Sequence, residues 1–68
     1  MIIQVRLKEV LKDRSMTQKE LASKAGLREA TVSAIARNQQ DLINLRHLEK
    51  IMEALEMDNI SELFEVEE

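Results

Sequence analysis

The side chains that carry covalent chemistry are nearly missing from this chain. There is no Cys, and His47 is the only His. Thiolate nucleophiles, disulfides and thiolate metal sites are thereby excluded, and one imidazole cannot build a zinc site alone. No Ser stands at a usable spacing from a His–acid pair, and the lone Gly26 makes no phosphate-cradling loop. Carboxylates are plentiful, but they fall on amphipathic stretches of a chain too short to enclose a water-excluding pocket. The expectation is therefore no enzyme, no metal and no small-molecule cofactor. What remains is hydrogen-bonding chemistry, concentrated in short polar and small side chains between Thr17 and Asn38.

That run must be held by helices. Thr17-Gln-Lys-Glu20 is a capping box, in which the Thr hydroxyl takes the Glu20 N–H and the Glu20 carboxylate reaches back. It predicts a helix over about 17–25 that carries Leu21, Ala22 and Ala25 inward. Gly26 ends this helix, because glycine enters the left-handed region without a Cβ penalty. Val32, Ile35 and Ala36 then mark the inner face of a second short helix over about 29–36.

Around this pair, Leu7, Val10 and Leu11 predict a first helix over about 6–14, broken at Ser15-Met16. Asn38 can close the third helix in αL, and residues 38–44 form a loop. Asn44 caps a fourth helix with the stripe Leu45, Leu48, Ile51, Met52 and Leu55. Asn59-Ile-Ser-Glu62 predicts a short fifth helix with Ile60, Leu63 and Phe64. Residues 2–5 are β-prone and the tail alternates apolar with acidic residues, so 2–5 should pair antiparallel with about 63–67. The pairing fits either one chain or two copies.

The chain has 68 residues, which implies one domain over 1–68 that buries only about 60% of its unfolded surface. Without Cys, stability must come from tight helix packing, self-association or both. Phe64 is the only aromatic, which implies an aliphatic core and counts against nucleic-acid binding by base stacking. With no Pro and one Gly, the composition favours helices. The N-terminus lacks a signal-peptide pattern, and no apolar run approaches the roughly 18–20 residues of a membrane span. A cytoplasmic, membrane-free protein is the default expectation.

The net charge is −3, which at first disfavours a polyanion partner, but its distribution is uneven. Residues 1–46 hold nine Lys/Arg against five Asp/Glu; residues 47–68 hold one Lys against eight acids. Such asymmetry points to a polyanion for the basic half, although two solvated helix faces would read the same way.

Two short helices joined by a tight turn form a helix-turn-helix, whose second helix enters the DNA major groove. The unit needs a small residue where the helices cross (Ala22), a turn Gly (Gly26), and apolar residues behind the second helix (Val32, Ile35). The segments Met16-Thr-Gln-Lys-Glu-Leu-Ala-Ser-Lys-Ala-Gly-Leu and Ala30-Thr-Val-Ser-Ala-Ile resemble the phage repressor and Cro family, the xenobiotic-response-element type. The likeness runs from Leu7 to Leu63, with Leu48, Ile51 and Leu55 in the fourth helix. It implies an all-α, five-helix, lambda-repressor-like domain, with the short terminal strands added.

The resemblance also implies roles. Gln18 would donate to a phosphate at the start of the second helix, assisted by Thr17 and the amides there. Arg28, Glu29, Ala30 and Ala34 would reach into the major groove, with Thr31, Ser33 and Arg37 on flanking phosphates and Asn38 at the helix end. Arg28 suits guanine O6/N7, Glu29 suits cytosine N4, and the alanines suit thymine methyls. Three departures stand out. Arg28 replaces a hydroxyl cap, Asn38 replaces a frequent Gly, and Gln39-Gln40-Asp41-Leu42 lacks basic residues. Fewer phosphate contacts and a shallower salt dependence follow.

Plainer readings stand beside these. His47 is a surface residue of a first helical turn, and Met52 and Met57 fill the core or its edge. Glu29 either reads a base or excludes wrong sequences. Glu53, Glu56, Glu62, Glu65, Glu67 and Glu68 form a solvated face or a docking surface for a basic partner. The leading functional expectation is a homodimeric repressor on a palindrome in double-stranded DNA. The alternative is a protein-interaction module of the same fold, an antitoxin or anti-repressor using the acidic half.

Overall fold

Each helix is short enough to need both a cap and a packed face, since isolated helices under about 12–15 residues are marginal in water. The computed structural model describes all residues, Met1–Glu68. Their order is β1 (Ile2–Val5), α1 (Leu7–Asp13), α2 (Gln18–Ala25), α3 (Glu29–Ala36), α4 (Leu45–Ala54), a 3-10 turn (Ile60–Glu62) and β2 (Phe64–Glu67). The domain is thus mostly helical with a two-stranded antiparallel sheet.

The starts follow local chemistry. Thr17 Oγ1 accepts from the Glu20 N–H at 3.0 Å and Glu20 Oε1 accepts from the Thr17 N–H at 3.1 Å, completing the box. Asn44 Oδ1 accepts from the N–H groups of Arg46 and His47, at 2.8 and 3.4 Å. Arg28 has the extended backbone of an N-cap, but its side chain makes no cap bond.

The ends repeat one device. Ser15, Gly26, Asn38 and Glu56 follow α1, α2, α3 and α4 with φ of 52, 70, 56 and 55°. The next N–H then returns to the carbonyl five residues back: Met16 to Leu11, Leu27 to Ala22, Gln39 to Ala34, and Met57 to Met52, at 2.9–3.1 Å. This is the Schellman wrap, and at three of the four ends its last residue (Met16, Leu27 or Met57) tucks into or against the core.

Fifteen buried residues form the core, all of them apolar, and no polar side chain is buried. Leu7, Leu21, Val32, Ile35, Ile51, Leu55 and Leu63 are almost fully enclosed. Helix α2 packs on α3 and α4, and α1 packs on α3. The Arg14 guanidinium ties α1 to the end of α4 by donating to the Leu55 carbonyl.

Three expectations are corrected. The chain has four α-helices, not five, because the 59–62 segment makes only a 3-10 turn. Asn59 Oδ1 accepts from the Ser61 N–H at 3.0 Å and from its hydroxyl at 2.7 Å, without a reciprocal bond from Glu62. Leu63 must then drop into the core while its carbonyl accepts the Arg6 N–H at 2.7 Å, which draws the chain into β2. Leu45 is 62% exposed and Ile60 49% exposed, so neither belongs to the apolar stripe expected of it. Both open their elements, at the ends farthest from the residues that enter the core.

The terminal strands do pair, and within one chain. Ile2 faces Glu67, Ile3 faces Val66, Gln4 faces Glu65 and Val5 faces Phe64.

The four wraps differ in their fitness for αL. Replacing Glu56 or Ser15 by Gly removes a side chain from a conformation that disfavours it, and should stabilise by about 0.5–1 kcal/mol each. Gly26→Ala meets open space, since no atom lies within 4 Å of the added Cβ, yet it should still destabilise by about 1 kcal/mol through its φ of +70°. Urea midpoints at constant m-value measure all three.

Candidate nucleic-acid interface

The outward face of α3 is set by what lies behind it. Val32, Ile35 and Ala36 are buried, so at about 100° per residue Ala30, Ala34 and Arg37 project from the opposite side. Ser33 and Thr31 flank that ridge, half-buried, and Glu29 is exposed in the first turn. Two small residues in succession along the ridge let the helix backbone approach a surface closely.

Arg28 and Arg37 stand at the two ends of α3, both exposed. Neither is in an ion pair; the structure's salt bridge is the exposed Arg46–Glu49 pair on α4, at 2.5 Å. Their guanidinium donors, five N–H groups each, are therefore free for planar acceptors.

At the start of α2, the capping box uses the N–H groups of Thr17 and Glu20. Those of Gln18 and Lys19 have no partner inside the helix and point from its positive end. Gln18 is half-buried and Thr17 exposed, so this terminus offers amide and side-chain donors together. Because α2 packs directly on α3, it has a fixed position beside the Ala30–Arg37 ridge. The following loop, 39–42, is fully exposed and carries Asp41.

Asn38 is placed differently from the other nine candidates. Its Oδ1 accepts from the Val5 N–H at 2.7 Å and its Nδ2 donates to the Val5 carbonyl at 3.1 Å. The carboxamide thus acts as a surrogate strand residue, fastening the C-terminal end of α3 to β1. Sequence reasoning missed this clamp, because its partner lies 33 residues away and no local pattern announces it.

A family model for the Cro/C1-type helix-turn-helix DNA-binding domain matches residues 6–68. The chain belongs to that family. Its α2–α3 pair is accordingly the helix-turn-helix of a Cro/C1-type domain, a DNA-binding class that acts in transcription regulation. No curated protein and no solved structure matches the chain. No helix of this Cro/C1-type domain is long and apolar enough to cross a membrane.

The clamp is testable apart from DNA. Asn38→Asp keeps αL tolerance and the acceptor for the Val5 N–H, but sets an oxygen against the Val5 carbonyl. It should destabilise by about 1–3 kcal/mol. Asn38→Gly keeps the turn, leaves Val5 to water and should lose less, as read from urea unfolding.

Proposed function

We propose that this domain binds double-stranded DNA sequence-specifically and represses transcription, two copies occupying a palindrome with half-sites about 34 Å apart. The supporting observation is the α3 surface: a ridge of Ala30 and Ala34 with free guanidinium groups, Arg28 and Arg37, at its ends. Such a surface fits a major groove, where small residues permit close approach and charged forks reach the edges of bases or phosphates.

In this reading Gln18, Thr17 and the free amides of α2 anchor one phosphate. Arg28 takes guanine O6 and N7, Glu29 accepts from cytosine N4, and Ala30 and Ala34 touch thymine methyls. Thr31, Ser33 and Arg37 hold the flanking backbone. Asn38 serves by orienting α3 through Val5 rather than by reading a base. Repression needs no further chemistry, since a bound dimer occludes the site without catalysis or cofactor. The domain would work in the cytoplasm, where the DNA of a bacterial or phage host is found.

The test is selection from a pool of random duplexes at low and moderate salt. A palindromic consensus should emerge, and Arg28→Ala with Gln18→Ala should abolish its enrichment. No binding at about 50 mM salt, where phosphate contacts are strongest, would overturn the proposal and favour a protein-binding role for the acidic half.

A single substitution separates function from folding. Arg28 occupies a cap position without capping, so Arg28→Ser should stabilise the fold by about 0.5–1 kcal/mol. The same change should weaken binding to the selected site by about 1–3 kcal/mol. Thermal unfolding and a duplex titration on the same sample check both signs.

A further inference from the structure

We propose that the outer edge of β1 is the self-association surface, pairing antiparallel with β1 of a second copy to make one four-stranded sheet across a twofold axis. This rests on the dimer in the functional reading above and names the surface that forms it.

The hydrogen-bond phase of the sheet leaves the outer edge of β1 open. The Arg6 N–H bonds to the Leu63 carbonyl, in line with the Ile2–Glu67 and Gln4–Glu65 pairs. Even-numbered residues of this strand therefore bond toward β2, and odd-numbered ones point their N–H and C=O groups the other way. Val5 shows that phase directly, since both of its groups go to Asn38. Ile3 has the same outward phase and no such partner. Its N–H and C=O form an open edge, and its side chain is 62% exposed.

Edge strands are normally blunted by charge, Pro or a bulge. Residues 1–5, Met-Ile-Ile-Gln-Val, carry no charged side chain and no Pro, and β1 pairs with β2 in continuous register. Ile2 is also 55% exposed.

Charge selects the occupant. The other strand and its flanks carry Glu62, Glu65, Glu67 and Glu68, so joining two β2 edges would set carboxylates against carboxylates. Joining β1 to β2 of another copy leaves two unlike edges free, and such head-to-tail contacts build open chains. Pairing β1 with β1 brings no carboxylates together and sets each Met1 ammonium beside the Ile3 carbonyl of the other copy, and the contact is isologous and closed.

Asn38 sets the register. With Val5 taken, the outward groups left are those of Met1 and Ile3. Matching Met1 to Ile3 in both directions places Ile2 opposite Ile2 of the second copy on the axis. That is a non-hydrogen-bonded pair, with Cα atoms about 4.5 Å apart, within the span of a disulfide. Because Asn38 also ends α3, this sheet would set the spacing of the two recognition helices.

The chain has no Cys, so an introduced one is its only thiol. Sedimentation of the wild type should show a dimer at high micromolar concentration. Ile3→Lys should give a monomer with unchanged circular dichroism. Ile2→Cys should form a disulfide dimer on mild oxidation, and Val66→Cys on β2 should not. A wild type that stays monomeric, a dimer indifferent to Ile3→Lys, or cross-linking through Val66→Cys in preference to Ile2→Cys would overturn the proposal. Should Ile3→Lys fail to fold, the two Cys variants decide alone. DNA selection is scored separately: a monomer that selects a site defeats the edge pairing only, and a β1-paired dimer that ignores DNA defeats the functional reading only.

Discussion

The pose of α3 depends on one contact layer, in which Val32, Ile35 and Ala36 are buried behind it against α2 and α1. Eight residues cannot hold a helix by propensity alone, so this packing decides whether α3 exists and which way it faces. Turning it by one residue, about 100°, would bring Ser33 inward and swing the Ala30–Ala34–Arg37 ridge off its surface. Ala22, buried in α2 with only a methyl group, keeps the crossing close; a larger side chain there would push the two helices apart.

That layer is secured at its margins by backbone devices, because the core offers only aliphatic packing and one half-buried Phe. Four αL wraps stop the helices where their buried stripes stop and fold the next residue back. The sheet then ties residue 2 to residue 67 and brings β1 beside the end of α3. There the Asn38 carboxamide joins the two, so the α3 terminus is held by the same strand that closes the chain. Chain closure and the pose of α3 therefore share one clasp.

Much of this was legible locally. The Thr17–Glu20 box, the Gly26 stop, the Asn44 cap and the inward Val32 and Ile35 are set by neighbours within a turn, and the structure has each of them. The alternation of Phe64-Glu-Val-Glu indicated β2. Ser15 and Glu56 were not recognisable as αL residues, since neither type favours that region; core packing of Met16 and Met57 imposes it on them. The fifth helix failed for the same reason, because a nearby cap was outweighed by the pull of Leu63 and Arg6. Leu45 fits the α4 stripe by spacing, yet at the first position of the helix it lies beyond the core. The α2 and α3 positions that carry the candidate site were legible from the cap, the Gly26 stop and the buried stripe, but the double role of Asn38 as turn and clamp depends on a contact across 33 residues.

The split of charge now has a structural counterpart. The basic surplus lies with the elements up to α3; α4 balances Arg46 and Lys50 against Glu49 and Glu53, and the acidic surplus follows it, on Glu56, Asp58, Glu62, β2 and Glu68, all exposed. The central claim is that α3 and the start of α2 meet DNA while α4 and the acidic segment after it do not. Amide and side-chain NMR of the isotope-labelled protein, titrated with its selected duplex, tests this most directly. The account predicts the largest shifts at Gln18, Lys19 and Arg28–Arg37, including the two free guanidinium groups, with α4 and β2 nearly silent. Shifts centred on Glu53, Glu56 or the Glu65–Glu67 strand, with the α3 ridge unmoved, would contradict it.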